Sequence, residues 1–160
     1  RKASWMTSIC AYGGISPMPD NDALCPQVRL NDSAVCQQVS RFLQETESDA
    51  RTRGLAVAVV GTEGELIAFG AHACCPPLPR QLAQRKAWSA LRFRRPTATL
   101  AQEVSSGTLQ LAVFNDPQLL AMPGGEPVMV EGLAIGGIGI SGLPPELDAG
   151  LAARFVQRLT

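Results

Sequence analysis

The sequence predicts a mixed α/β (α+β) fold, a mainly antiparallel sheet with helices packed against it. Three observations predict it. Short apolar runs come in pairs joined by tight turns, longer stretches repeat apolar residues at helical spacing, and hairpins outnumber βαβ units in the order α-ββ-αα-βββ-α. A chain of 160 residues fits one domain, and at that length a fold buries roughly 70% of the surface its unfolded chain exposes.

The elements follow from local chemistry. Residues 1–30 carry Gly13-Gly14, Pro17, Pro19 and Pro26 without periodicity and read as an irregular arm ahead of a domain over 31–160. Asn31-Asp32-Ser33 is a capping signal for a helix with Val35, Val39, Phe42, Leu43 and Ala50 on one side, ending at Gly54. Leu55–Val60 and Glu65–Phe69, separated by Gly61-Thr62-Glu63-Gly64, form a hairpin. After Pro76-Pro77, the spacing of Leu82, Ala83, Ala87, Ala90 and Leu91 predicts a second helix, which Arg95-Pro96 stops. Thr97 is placed to cap a short helix over Ala98–Val104, and Leu109–Phe114 reads as a strand turned by Asn115-Asp116-Pro117. Pro127–Val130 and Leu133–Ile140 make a second hairpin across Glu131-Gly132. Leu147, Leu151, Ala152, Phe155, Val156 and Leu159 stripe a closing helix entered through Pro144-Pro145.

Composition narrows the function classes. The 14 basic and 14 acidic residues cancel, so there is no global attraction to nucleic acid or anionic lipid, and neither is expected as a partner. No apolar run approaches the ~20 residues that span a bilayer, so a soluble chain is expected. The opening Arg1-Lys2 lacks a following apolar core of signal-peptide length. A cytoplasmic location is therefore expected, with secretion the alternative if a leader preceding Arg1 has been removed.

The five cysteines, Cys10, Cys25, Cys36, Cys74 and Cys75, include no CxxC pair, and His72 is the single histidine. A tetrahedral zinc site is not expected from such spacings. The thiols are either free or include a Cys25–Cys36 disulfide tying the arm to the first helix, which would imply an oxidising compartment.

Three features carry candidate chemistry. Gly137-Ile138-Gly139-Ile140-Ser141-Gly142 matches GxGxxG as a string, but its glycines lie in a strand rather than in a βα turn. They point instead to a bulge, or to close approach of a backbone or of a flat ligand. Between Glu65 and Glu103 there is no acid, while Arg80, Arg85, Lys86, Arg92, Arg94 and Arg95 fall there. Arg85 and Arg92 share one helix side and suit a carboxylate, whereas Lys86 sits among apolar positions and must pair, snorkel or touch a ligand. The third feature, Ala71-His72-Ala73-Cys74-Cys75-Pro76-Pro77, holds the imidazole beside two thiols at a strand-to-helix junction. His72 or Cys75 is a candidate ligand for haem iron, and a Cys–His nucleophilic pair is the alternative.

Together these residues resemble the GlcG/HbpS-like family. The resemblance rests on Leu55–Val60 with Leu66–Phe69, on Arg85-Lys86-Ala87 with Phe93 and Pro96-Thr97, and most specifically on Gly124-Gly125-Glu126-Pro127-Val128 through Ile135–Gly142 to Glu146-x-Asp148. It implies a profilin-like antiparallel sheet of about five strands, a homo-oligomer, often an octamer, and a small-molecule ligand that in several relatives is haem. The same domain is appended to PduO-type cobalamin adenosyltransferases. The family's usual Met-Asp-Gly-Ala stretch falls on His72-Ala73-Cys74-Cys75, so this loop departs from the pattern. Two functions remain open. One is a haem or tetrapyrrole-binding oligomer, with His72 or Cys75 at the iron and Arg85 or Arg92 at a propionate. The other is a small cofactor-independent enzyme using Lys86 as a general acid/base or electrostatic stabiliser and the Gly124 and Gly125 N–H groups as an oxyanion site.

Overall fold

The computed structural model describes residues 28–160. The proposed arm and the Cys25 half of the Cys25–Cys36 pairing therefore lie almost wholly outside the described residues. Helix α1 spans Asp32–Glu47, and its cap is as expected, with the Asn31 side chain accepting the Ala34 N–H at 3.0 Å. It stops well short of Gly54. Ser48 closes it, and the chain turns through Asp49–Thr52, where the Thr52 hydroxyl donates back to the carbonyls of Thr46 and Asp49. Side chains that bond locally to backbone compete with the helix in this way. Gly54, at φ +95°, belongs to the turn entering the first strand.

Strands β1 (Ala56–Val60), β2 (Leu66–Ala71), β3 (Gly125–Val130) and β4 (Leu133–Ser141) form one antiparallel sheet in the order β2-β1-β4-β3. Among the described residues it has four strands, not five. The missing one is Leu109–Phe114, where Leu111–Phe114 is a turn of 3-10 helix that leaves Val113 70% exposed and rests the Phe114 ring edge-on against Phe93 at 5.3 Å. A short apolar run has no periodicity that separates strand from helical turn. The β3–β4 turn behaves as read, with Glu131 at φ 50° and Gly132 at φ 80°, the pair of positive φ values a tight hairpin requires.

The sheet has two unlike faces. Val57, Val59, Ile138 and Ile140 point to a large core with α1 and with α4 (Pro145–Val156), where Phe42 and Phe155 pack at 5.0 Å. In α4, Leu151, Ala152 and Phe155 are buried, but Leu147 is 47% exposed and leaves the predicted stripe. Ala56, Ala58 and Val60 point the other way, into a thin layer with Cys75, Ala83, Ala87 and Leu91 beneath α2 (Pro77–Phe93). The glycines of the GxGxxG string make that layer thin. A Cβ on Gly139 would stand 1.8 Å from the Ala83 carbonyl oxygen, and one on Gly137 would stand 2.2 Å from that of Ala87. They admit the backbone of α2, one of the two approaches the string suggested.

The edges differ too. On β3, Pro127 lies in the strand and a register shift follows at Val128/Met129. On β2, Leu66 is exposed and no proline interrupts the strand, but a register shift against β1 falls at Val59/Val60 and skips Ile67. Helix α3 (Thr97–Ser105) leaves α2 after Arg94, which takes the left-handed conformation. Thr97 does not cap it. Its hydroxyl is turned inward and accepts the Gly125 N–H at 2.8 Å. Among the described residues no helix is long and apolar enough to cross a membrane.

Candidate functional site

Lys86 faces the sheet and is 1% exposed. Its Nζ donates to Asp148 Oδ2 at 2.8 Å and to the Ile140 carbonyl at 2.9 Å, joining α2, α4 and β4. Asp148 accepts in addition the Leu143 N–H through Oδ1. Burial pulls the Lys86 amine below its ordinary pKa and pushes the Asp148 carboxyl above its own, each opposed by the other's charge. Gly124 and Gly125 pack on this pair. A Cβ on Gly124, at φ +114°, would come within 2.9 Å of Nζ, and one on Gly125 within 2.5 Å of the Lys86 carbonyl oxygen. The structure thus unites Lys86, Gly124 and Gly125 as the enzyme reading required, yet it commits the Lys86 amine to Asp148 and Ile140 and the Gly125 N–H to Thr97. Asp148 is the partner that sequence reasoning left unassigned. A lysine on a buried helix side demands an acid, and Asp148 lies in the first turn of α4.

The His72 loop is a second cluster. His72 is 3% exposed. Its Nδ1 accepts the Gly54 N–H at 3.2 Å, while Nε2 lies 3.0 Å from the Leu43 carbonyl and 3.2 Å from the Thr46 hydroxyl. A carbonyl can only accept, so Nε2 carries the proton and the ring is neutral. Both nitrogens are thereby occupied in tying α1 to the start of β1. Cys75, 6% exposed, fills the thin layer, and burial raises its thiol pKa against the opposing charge of Arg80. Cys74 is exposed. Arg80, which sequence reasoning did not place in a site, donates to the carbonyls of Cys75 at 3.1 Å and His72 at 3.3 Å and so grips the turn.

The outer side of α2 forms a third cluster. The Arg85 guanidinium donates to the carbonyls of Pro117, Gln118 and Leu119. Trp88 Nε1 donates to Asp116, and the Leu120 N–H donates to the Ser89 hydroxyl. Segment 116–120 is stapled to the helix by these bonds. Arg92 is exposed, lies 4.7 Å over the Trp88 ring, and lines a cleft of about 250 Å³ with Phe93, Phe114, Asp116 and Leu119. From the first residue of α2 to Arg92 is about 22 Å along the axis, at 1.5 Å per residue. Cys75, just before that helix, and Arg92 therefore do not converge on one ligand.

These clusters sit on a scaffold with known relatives. A family model described as haem-degrading protein HbpS-like matches residues 34–157. The chain belongs to the HbpS-like family. This agrees with the resemblance carried by the Lys-Ala helix and the glycine-rich hairpin. The protein GlcG of Escherichia coli K12 is 32% identical over 97 residues, which is 61% of this chain and 71% of GlcG. A double mutant of HbpS from Streptomyces reticuli superposes with a TM-score of 0.75 at 25% identity, over 92% of this chain and 98% of that one. The haem complex of PduOC has the same fold, with a TM-score of 0.72 at 24% identity over 82% and 95% of the two chains.

Proposed function

We propose that this HbpS-like chain binds haem or a related tetrapyrrole, and that it does so as a homo-oligomer, the octamer of the sequence reading. The match of a haem-degrading family model across residues 34–157 carries this reading. The fit of the residues narrows where the ligand rests. A buried imidazole with both nitrogens hydrogen-bonded does not offer a free lone pair, so His72 does not fit as an iron ligand in this arrangement. Thiol sulfur does fit iron. Cys75 lies buried beneath a turn whose Ala73, Cys74, Pro76, Pro77 and Leu78 are exposed, an apolar surface on which a flat macrocycle would pack once the sulfur moves outward.

When bound, haem supplies an iron centre for ligand or redox chemistry. The protein's own part is to orient it. Arg80 fixes the turn that carries Cys75, His72 anchors that turn to α1, and Cys75 would hold the iron as a thiolate, giving up the proton that burial favours on it. The small-residue layer under α2 keeps water from the inner side of the thiol.

Hemin titration followed by absorbance tests this reading. The wild-type protein is expected to show saturable binding with a shifted Soret band, and Cys75→Ala to shift the band and weaken binding at least tenfold, in the ~1–2 kcal/mol range of one lost ligand contact. His72→Ala is expected to leave the band position unchanged. Absence of saturable binding in the wild type overturns the function, whereas an unchanged spectrum in Cys75→Ala overturns only the placement.

A further inference from the structure

We propose that, in the haem-free chain, Cys74 and Cys75 are a peroxide-modified thiol pair that closes into a vicinal disulfide. The two thiols are adjacent in sequence but unlike in setting, Cys74 exposed and Cys75 buried in the layer beneath α2. Peroxide reaches Cys74 first. Its thiolate sulfur attacks one peroxide oxygen, the O–O bond breaks and one water leaves, giving the sulfenic acid. The Cys75 sulfur then displaces the hydroxyl from Cys74, the S–S bond forms, and a second water carries away the oxygen with the Cys75 proton. Two thiols and one hydrogen peroxide become one disulfide and two waters. Cys36 does not compete on equal terms. It sits on α1 beside the Ile67 carbonyl, whereas neighbouring cysteines meet at the high effective concentration of an intramolecular step.

Ring closure has a steric cost and a local release. Adjacent Cα atoms across a trans peptide stand about 3.8 Å apart, closer than the roughly 4.4–6.8 Å usual for a disulfide, so the Cys74–Cys75 peptide must twist. The chain at this point permits it. Strand β2 has ended at Ala71, α2 has not begun until Pro77, and Pro76 and Pro77 carry no N–H to be held in either element. The twist sacrifices the Cys75 N–H to His72 carbonyl bond of 2.9 Å and draws the Cys75 sulfur out from among Ala56, Ala58, Ala83 and Ala87. It also disturbs the two carbonyls that Arg80 grips. A strained disulfide of this kind is readily reduced, so the modification is reversible.

The test uses the whole native chain, treated with one equivalent of hydrogen peroxide, capped with N-ethylmaleimide and digested with trypsin. Cleavage after Arg53 and Arg80 places both thiols in one peptide, Gly54–Arg80. That peptide is expected to lose two hydrogens and take no maleimide, and to take two after dithiothreitol. In Cys75→Ser the Cys74 sulfenic acid is expected to persist and be captured by dimedone, and in Cys74→Ser oxidation of Cys75 is expected to slow at least tenfold, the order set by thiol access. Two maleimides on the peptide after peroxide, or Cys74 recovered in a link to Cys36 or to a second chain, overturns the proposal.

Discussion

The buried Lys86–Asp148 pair is the clearest case of a single residue deciding local architecture. Both pKa displacements run in the direction of desolvation, so burial outweighs the mutual attraction of the charges. Lys86→Met should therefore cost about 3–5 kcal/mol by stranding the Asp148 carboxylate. Lys86→Met with Asp148→Leu should recover most of that loss, falling short by the Leu143 N–H it orphans. Urea titrations of the two variants check this, and equal losses in both would refute it. At this scale the sequence was half legible. Lys86 stood out because a lysine among alanines has to be compensated, but its partner lies 62 residues away in the chain, beyond the reach of any spacing argument. His72 and Arg85 drew notice as reactive types, yet apart from the Thr46 hydroxyl at His72 their hydrogen bonds run to backbone atoms, which no side-chain pattern encodes.

Among the elements, the contact of α2 with β4 rests on absent side chains. Gly139→Ala drives a methyl into the Ala83 carbonyl and should cost about 3 kcal/mol or more, at the upper end of overpacking. Gly150→Ala, at an exposed helical position where a Cβ meets nothing within 4 Å, should instead add roughly 0.5–1 kcal/mol. Thermal melts of the two variants should move in opposite directions. Long periodic segments and capped or proline-marked ends were legible because their signals are local, as with Asn31 for α1 and Pro144-Pro145 for α4. Leu109–Phe114 was not, since its conformation depends on whether a sheet edge lies nearby, and the ring of Phe114 finds Phe93 instead.

At the scale of the molecule, the thick and thin cores share β1 and β4, so neither persists without the other. Unfolding is expected to be one transition with equal calorimetric and van't Hoff enthalpies. Two resolved transitions would show that the layers are separable. The fold class was legible at this scale because hairpin turns and helix stripes are repeated signals. The ligand was not, because the candidate residues that the sequence offered are held apart by the fold, Cys75 and Arg92 at opposite ends of α2.

The edges of the sheet bear on how copies of the chain can be joined. Pro127 and the register shift at Val128/Met129 deny a ladder to any strand approaching β3, and β2 carries a shift of its own at Val59/Val60, where Ile67 is skipped in the pairing with β1. Interrupted edges are poor templates for an added strand, so copies of this chain are expected to meet through helix and loop surfaces rather than by extending the sheet into a fibre.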